Sequence, residues 1–339
     1  MSQELKAINP NMVPKKKLRS GDEIPVVGLG TFGSDRYTHE EVAEAVKEAI
    51  RFGYRHIDCA AVYMNEKHIG KAIKEAIAEG YCTREELFIT SKVWNNRHCE
   101  TIEACQESLD DLQLDYLDLY LVHWPFSNYH APGCDGEARN PDSKPFCVEA
   151  FMDTWRQMEA LVESGKVRNI GTSNMTIAKF NAILPLMNIL PAVNEMELHP
   201  CFQQPELFDY CVSNNIQPVG FCPIGSPRRP DRDKAEGDAV DIEHPVIQKI
   251  ARRIGVHPAI ICIKWAVQRG QIPIPFSVRS YQYLSNLESS FKNPITSEEM
   301  DELKTVDCNS RLIKGQVFLW EGTNGWEDLW DLDGNITTL

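Results

Sequence analysis

Four polar side chains in this sequence occupy equivalent positions relative to successive apolar runs. Asp58 lies near the end of one short run, and Tyr63 comes just after it. Lys92 lies near the end of the next run and His123 at the end of the one that follows. If these runs are neighbouring parallel strands, a carboxylate, a phenol, an ammonium and an imidazole meet at one rim.

This combination predicts a proton donor. A free tyrosine has a pKa of about 10, which is too high for ready donation at neutral pH. Lys92 could stabilise the phenolate of Tyr63, and Asp58 could keep Lys92 charged and in place. His123 could donate a hydrogen bond to a substrate oxygen. The expected chemistry is protonation of a carbonyl oxygen that is becoming an alkoxide.

Each residue also has a structural interpretation. Lys92 and Asp58 could form a purely structural ion pair, His123 could be a satisfied core histidine, and Tyr63 could be a loop aromatic. Their shared position at strand ends favours the catalytic interpretation. The sequence has no His-Glu-x-x-His, Gly-x-Ser-x-Gly or Walker motif. Carbonyl reduction at such a site needs an external hydride source.

The elements that position these residues alternate between strands and helices. Buried parallel strands are apolar on both faces, which predicts eight strands at Val26–Phe32, His56–Ala60, Leu87–Val93, Tyr116–Trp124, Val167–Ser173, Pro191–Glu197, Gln217–Pro223 and Ile272–Phe276. Helical spacing between and after them predicts helices around 42–50 and 69–77 and at Thr101–Leu112, Phe151–Glu163, Ile177–Met187, Pro205–Asn214, Ala259–Arg269 and Tyr281–Phe291. Eight such units predict an α/β fold, a closed (β/α)8 TIM barrel.

Several segments lie outside the repeating pattern. Pro125–Cys147 and the charged stretch Ser226–Glu243 are predicted to be long surface loops, with an extra helix at Pro245–Ile254. Lys15–Lys17 is predicted to be a solvated turn. The tail from about 307 to 339 carries Trp320, Trp326 and Trp330, and it is too aromatic for a simple disordered end.

The segment 28–33 matches the dinucleotide motif G-x-G-x-x-G. In a Rossmann unit the helix begins within that motif, so that its N-terminus meets the pyrophosphate. Here the first helix-capping residue, Thr38, comes five positions later. We therefore interpret the segment as a glycine-rich strand and turn that allow close approach.

Charge and composition exclude several function classes. The chain has 339 residues, with 35 basic and 49 acidic side chains and a net charge of −14. This balance disfavours nucleic acid and an anionic membrane surface as partners. No run approaches a membrane span, and no signal peptide is evident. Eleven cysteines without a Cys-x-x-Cys pair predict reduced thiols in the cytoplasm and no metal site.

The sequence resembles the aldo-keto reductase family, specifically its aldose and aldehyde reductases. The resemblance runs in family order from about 21 to 306, on the motifs at 28–31, 53–58, 61–63, 91–94, 118–125, 171–174, 194–200 and 274–278. It implies one barrel domain over 1–339, with a core of about 21–306 and a substrate-pocket tail at 307–339. It also implies an extended nicotinamide cofactor, NADPH or NADH, without a Rossmann fold.

The resemblance assigns roles to individual residues. Tyr63 is the expected general acid, tuned by Lys92 and Asp58, while His123 orients the carbonyl. The expected cofactor contacts are Gly30, Thr31, Phe32, Asp58, His123, Ser173, Asn174, Glu195, Phe221, Cys222, Pro223, Ile224, Gly225, Ser226, Ser277, Val278, Arg279 and Asn286. Of these, Ser173, Asn174 and Glu195 hold the carboxamide, and Phe221 stacks on the nicotinamide ring.

The implied partner is a small carbonyl compound, an aldehyde or aldose. Its expected contacts are Phe32, Val62, Tyr63, Trp94, His123 and Trp124. The tail tryptophans could stack on sugar faces or could pin the tail to the barrel. A second hypothesis is a regulatory barrel subunit that binds cofactor without turnover. The complete set of four polar residues favours the enzyme. The oligomeric state does not follow from the sequence.

Three positions depart from the family pattern. The carboxamide-binding residue is usually glutamine, and here it is Glu195. The lysine and the arginine that grip the cofactor's 2′-phosphate are replaced by Phe276 and Gln282. Each lost charge-assisted contact should cost on the order of 1–3 kcal/mol, unless Arg279, Arg228 or Arg229 compensates. We therefore expect a relaxed preference between NADPH and NADH.

Overall fold

The barrel is built from eight short parallel strands in sequence order. In the computed structural model, which describes residues 5–33, 35–127 and 143–337, they are β3 to β10. Their bounds are Leu29–Gly30, His56–Asp58, Phe88–Val93, Leu117–Val122, Val167–Ser173, Val193–Glu197, Gln217–Phe221 and Ile272–Pro273. Backbone N–H groups of Gly28 and Gly30 donate to Pro273 and Pro275 at 3.1 Å each, which joins the first barrel strand to the last. The predicted (β/α)8 fold is confirmed.

Ten helices surround and extend this sheet within the described ranges. Their bounds, α1 to α10, are His39–Arg51, Glu66–Ala78, Thr101–Leu112, Val148–Glu163, Ile177–Ile183, Pro205–Ser213, Pro245–Ile254, Pro258–Arg269, Ser280–Glu288 and Ser297–Lys304. Local chemistry explains several starts. A capping box of Thr38 and Glu41 begins α1, and prolines occupy the first turns of α6, α7 and α8. Helix α10 was not predicted from the sequence.

The glycine-rich segment is required by close packing within the barrel. A Cβ at Gly28 would lie 2.7 Å from Nδ1 of His56, and one at Gly30 would lie 2.9 Å from the carbonyl oxygen of Ile274. Both contacts are too short for a larger residue. The interpretation of this segment as a strand that allows close approach therefore agrees with the structure.

The prediction of a turn at Lys15–Lys17 is wrong, although Lys15 and Lys17 are exposed to solvent as expected. These residues form strand β1, which pairs antiparallel with β2 (Glu23–Pro25), with Lys16 opposite Ile24. Ile24 is fully buried, and with Leu18 it packs against residues at the N-terminal ends of the barrel strands, such as Phe88. The hairpin covers that end of the barrel, and this burial stabilises a strand that local composition disfavours.

The C-terminal tail packs against the barrel through aromatic rings. Phe318 and Trp330 lie 4.4 and 5.6 Å from Trp124 between ring centroids, and Trp320 lies 6.4 Å from Phe126. Trp320 and Trp330 are both buried. Of the two sequence hypotheses for these rings, pinning of the tail matches the contacts that the structure shows.

The two predicted surface loops differ in how far they are described. Residues 128–142 of the loop Pro125–Cys147 lie outside the described residues. The loop Ser226–Glu243 contains two short 3₁₀ turns, Asp231–Asp233 and Asp241–Glu243. Within the described ranges, every helix is too short or too polar to cross a bilayer.

Candidate active site

The barrel register brings the four polar residues to one rim. Asp58 pairs with Gly30 of β3 and Thr90 of β5, and Lys92 pairs with Leu121 of β6. His123 follows β6 directly, and its backbone N–H donates to the carbonyl of Val93 at 3.2 Å. All of them lie at or just after the C-terminal ends of adjacent strands, as the sequence predicted.

Lys92 is the buried centre of the site. Its Nζ lies 2.6 Å from Oδ2 of Asp58, 3.0 Å from the carbonyl oxygen of Cys59 and 3.4 Å from Oε1 of Glu195. The lysine side chain is completely inaccessible to solvent. Burial lowers the pKa of Lys92, but the carboxyl groups of Asp58 and Glu195 and the phenol of Tyr63 outweigh it and hold that pKa well above its usual value. The ammonium is therefore charged at all physiological pH values.

Tyr63 presents its ring between Lys92 and the other aromatic walls. It ends a 3₁₀ turn, Ala61–Tyr63, and Met64 follows in the left-handed region with φ 56°. Its ring centroid lies 5.3 Å from Nζ of Lys92, 5.3 Å from the ring of Phe32 and 5.8 Å from that of His123. Both neighbouring rings line the same cavity.

The pKa of Tyr63 departs from the sequence expectation. Burial raises this pKa most, the charge of Lys92 lowers it, and the carboxyl groups of Asp58 and Glu195 raise it further. The expected effect of the ammonium is present, but burial outweighs it. The phenol is consequently protonated at neutral pH, which is the form that an acid catalyst needs.

His123 is a neutral imidazole. Burial, aided by the positive charge of Lys92, holds the pKa of His123 well below its usual range. Nδ2 of Asn174 donates to the backbone carbonyl of His123 at 3.0 Å, which fixes the strand end. The ring packs edge-on against Trp94 at 5.1 Å. A neutral imidazole keeps one N–H that can donate to a substrate oxygen.

A cavity of about 860 Å³ opens above these residues. It is lined by Tyr63 and Trp124 and by most of the predicted cofactor contacts: Gly30, Thr31, Phe32, Asp58, His123, Ser173, Asn174, Glu195, Phe221, Cys222, Pro223, Ile224, Ser226, Ser277, Val278, Arg279 and Asn286. Gly225, Val62 and Trp94 are not among the described residues that line it. Trp94 instead packs between His123 and Phe318. Gly225 lies against Asp241, which excludes any side chain there.

The cavity wall fits a nicotinamide carboxamide. Oδ1 of Asn174 is buried without a hydrogen-bond partner among the described residues, and the carboxyl group of Glu195 lines the cavity beside it. Ser173 pairs with Glu195 across β7 and β8, so these three side chains form one polar patch. Phe221, at the end of β9, supplies an adjacent aromatic face. A buried acceptor without a partner, such as Oδ1 of Asn174, requires a donor such as an amide NH2.

The opposite end of the cavity carries two of the three departures from the family pattern. Phe276 packs against Tyr37 at 5.6 Å, and Oε1 of Gln282 accepts a hydrogen bond from Oγ of Ser277 at 2.7 Å. Arg279 is exposed beside Tyr281. Arg229 also lines the cavity, but its guanidinium is bonded to Asp238. Arg279 is thus the better placed of these two arginines to reach an added phosphate.

A buried charged cluster beside the cavity was not predicted from the sequence. His199 lies 3.0 Å from both Glu197 and Asp241, and all three side chains are fully buried. Glu197 also accepts the backbone N–H groups of Leu312 and Ile313 at 2.8 and 2.9 Å. The cluster therefore joins β8, the loop 226–243 and the tail. The sequence signal that could have indicated this cluster is a pair of ionisable residues, 197 and 199, at alternate positions of an apolar segment.

The His199 cluster predicts a loss of stability in alkali. Burial opposes charging, but hydrogen bonds and charges from Asp241 and Glu197 raise the pKa of His199 to about 9. Its contribution to stability, roughly 3 kcal/mol, is complete below pH about 6.5 and disappears as the pH rises past about 9. We expect the midpoint of chemical unfolding to fall over this interval. The His199→Gln variant should lack this pH-dependent part of the stability. If the midpoint of unfolding changed equally with pH in both proteins, His199 would not be the group responsible.

The tail anchor predicts an effect on stability. Asp331 lies 2.5 Å from the buried Nζ of Lys179, which also donates to the carbonyl of Leu329 at 3.0 Å. Asp331→Asn leaves the buried charge of Lys179 without its carboxylate, so we expect a lower melting temperature, with a loss of about 3–5 kcal/mol in the free energy of unfolding. Asp333→Asn, an exposed change two residues away, is the matched control. Equal melting temperatures in the two variants would mean that this pair does not hold the tail to the barrel.

Comparison with known proteins adds an independent result. The model of the Aldo/keto reductase family matches residues 26–307. The chain is 40% identical over 304 residues to aldo-keto reductase family 1 member A1 of Sus scrofa, which covers 87% of this chain and 90% of that protein. It is 37% identical over 317 residues to the aldo/keto reductase slr0942 of Synechocystis sp. This alignment covers 93% of this chain and 95% of that protein.

A solved structure is similar over nearly the whole fold. The crystal structure of a Bombyx mori aldo-keto reductase in complex with NADP superposes with a TM-score of 0.78 at 33% identity. The similarity covers 91% of this chain and 96% of that chain.

Proposed function

Since the chain belongs to the aldo-keto reductase family, a family of NAD(P)H-dependent carbonyl reductases, we propose that it reduces an aldehyde or aldose to the corresponding alcohol. Tyr63 is the proton donor in this proposal. The observation that carries it is the buried pair of Lys92 and Asp58, 2.6 Å apart, behind a phenol that faces the cavity beside His123. A purely structural ion pair would not need a phenol and an imidazole at its open side.

Each polar side chain of the site has a separate role at the substrate carbonyl. The N–H of His123 donates a hydrogen bond to the carbonyl oxygen and orients it. The O–H of Tyr63 donates its proton as that oxygen becomes an alkoxide, and the charge of Lys92 stabilises the phenolate left behind. Asp58 holds Lys92 in position. When bound, the reduced nicotinamide supplies the hydride to the carbonyl carbon.

The shape of the site supports a small aldehyde or aldose as substrate. Phe32 and Trp124 provide aromatic walls beside Tyr63, and the tail contributes Ile313 to the cavity lining. Aromatic faces bind the apolar surfaces of sugars and aldehydes, while His123 and Tyr63 anchor one oxygen. His123 and Tyr63 together favour a substrate with a carbonyl group, and the aromatic walls limit the size of that substrate.

A panel of aldehydes, aldoses and ketones, assayed with both NADPH and NADH, tests the proposal. Turnover of glyceraldehyde or another reactive aldehyde is the expected result. A protein that binds cofactor but is inert to the whole panel would support the alternative of a regulatory binding subunit. A protein that binds neither cofactor would refute both.

The adenosine end of the cavity predicts the cofactor preference. With Phe276 and Gln282 in place of cations, we expect kcat/KM for NADH within about tenfold of that for NADPH. Phe276→Lys should lower the KM for NADPH by roughly tenfold, since one charge-assisted contact is worth on the order of 1–3 kcal/mol, and should leave the KM for NADH unchanged. Phe276→Met controls for loss of the ring. Strong NADPH preference in the unaltered protein would contradict the prediction.

A cytoplasmic location is part of the same proposal. The ten cysteines in the described part of the chain are all free thiols, which suits a reducing compartment. Localisation of the tagged full chain in cell fractions tests it.

A further inference from the structure

Two carboxyl groups share one ammonium beneath the cavity. Nζ of Lys92 lies 2.6 Å from Asp58 and 3.4 Å from Glu195, and each of the three side chains is at most 3% exposed. Asp58 and Glu195 also form a hydrogen bond with each other, which requires a proton on one of the two carboxyl groups. The usual family residue at this position is glutamine, a neutral amide, so the second carboxyl is a departure from the family pattern.

Charge balance decides the state of this cluster. If both carboxyls were ionised, the site would bury one uncompensated negative charge, which costs several kcal/mol. Retaining one proton removes that cost. Asp58 makes the shorter contact with Lys92, so it keeps its charge and Glu195 keeps the proton. Burial first, and then the charge of Asp58, raise the pKa of Glu195 to about 8 against the effect of Lys92.

The other groups around Glu195 do not supply a competing charge. Tyr63, after β4, is protonated, and His123, after β6, is neutral. Ser173 and Asn174 at the end of β7 and Phe221 at the end of β9 do not ionise in the physiological range. Glu195 is consequently the one group of this cluster poised to change charge near neutral pH.

The position of Glu195 couples this change to the cofactor. Glu195 lines the cavity together with Ser173 and Asn174, and the coupling rests on the proposed function, which puts the nicotinamide against these residues. The reduced ring is neutral, whereas the oxidised ring carries a positive charge. A cation placed against a buried carboxylic acid favours its ionised form.

We propose that Glu195 is a proton-linked selector between oxidised and reduced cofactor. Beside the reduced ring it is a neutral carboxylic acid, whose O–H donates to Asp58 and whose other oxygen can accept from the carboxamide NH2. When oxidised cofactor binds, the O–H bond of Glu195 breaks, the electron pair stays on the carboxylate and the proton passes to solvent. The carboxylate then pairs with the cationic ring. No oxidation or reduction of the protein is involved.

Proton release on binding tests this inference without reference to turnover. Calorimetric titration of NADP⁺ and of NADPH, in buffers of different ionisation enthalpy at about pH 7, gives the number of protons released by each. We expect the unaltered protein to release roughly half to one proton more with NADP⁺ than with NADPH. Subtracting the NADPH value removes the contribution of the 2′-phosphate. In Glu195→Gln the difference should vanish.

Matched variants assign the proton. Glu66→Gln removes another buried carboxyl, bound by Ser91 and Ser108, that does not line the cavity, and it should release protons as the unaltered protein does. Tyr63→Phe should also retain the difference, which separates Glu195 from the phenol. An unchanged difference in Glu195→Gln overturns the inference while leaving the proposed function intact. Failure of either cofactor to bind the unaltered protein refutes the proposed function instead.

A second measurement needs no variant. Because binding is linked to proton release, the ratio of the Kd for NADP⁺ to the Kd for NADPH should fall by roughly tenfold between pH about 6.5 and 8.5 in the unaltered protein. Fluorescence titration across this range measures both constants. A ratio independent of pH overturns the inference.

Discussion

Tyr63→Phe is expected to lower kcat for aldehyde reduction by at least about a thousandfold, because a positioned general acid contributes up to about four orders of magnitude. The substitution removes one oxygen atom and leaves the ring that contacts Phe32 and His123. The developing alkoxide then has no donor other than His123 or water. Steady-state oxidation of NADPH with a reactive aldehyde measures the effect.

The binding properties of the same variant separate chemistry from folding. The cofactor contacts proposed for Ser173, Asn174 and Glu195 do not involve the phenol, so the Kd for NADPH should change little. Tyr210→Phe is the matched control, because it removes a hydroxyl that donates to Asn181 at 2.7 Å on the protein surface. A Tyr63→Phe enzyme that kept a tenth of the original kcat would exclude the phenol as the acid.

Lys92→Met is expected to damage both stability and turnover. It leaves Asp58 as a fully buried carboxyl without its cation and removes the donor to the carbonyl of Cys59. Breaking a buried pair by removing one partner costs about 3–5 kcal/mol. The phenolate of Tyr63 also loses the positive charge that lowers its pKa, so kcat should fall by about two to four orders of magnitude. Chemical unfolding and steady-state kinetics on the same preparation measure the two effects.

The double variant distinguishes these two roles of Lys92. Asp58→Asn combined with Lys92→Met removes both charges, and replacing a buried pair together is often close to neutral for stability. We expect the free energy of unfolding to recover most of its loss while kcat remains low. Recovery of kcat along with stability would mean that the pair acts only through folding.

The sequence predicted the secondary structure best where one segment decides its own conformation. Helix Thr101–Leu112 has the predicted bounds. Apolar residues at helical spacing favour a helix in this segment, independently of the element against which it packs. Every predicted strand contains the observed one. Val167–Ser173 has the predicted bounds, and the other predicted strands are longer than the observed ones, most clearly Val26–Phe32 around Leu29–Gly30. Lys15–Lys17 failed as a prediction because its pairing depends on the barrel end that Ile24 covers.

The candidate site divides in a similar way. The sequence alone determined which side chains meet at the rim, because the C-terminal ends of parallel barrel strands share one face. It did not determine their protonation. Whether Tyr63 and Glu195 carry a proton depends on how completely each is buried and on which charges lie within a few ångströms, and these quantities arise from strands far apart in the chain.

Residue types and strand order thus determined the barrel, the rim and the expected chemistry. The tertiary structure decided the rest: the tail rings that pack instead of lining the cavity, the cluster at His199, and the single ammonium shared by Asp58 and Glu195. The physical reason is that packing and electrostatic interactions act over distance in space, whereas hydrophobic periodicity is a property of neighbours along the chain.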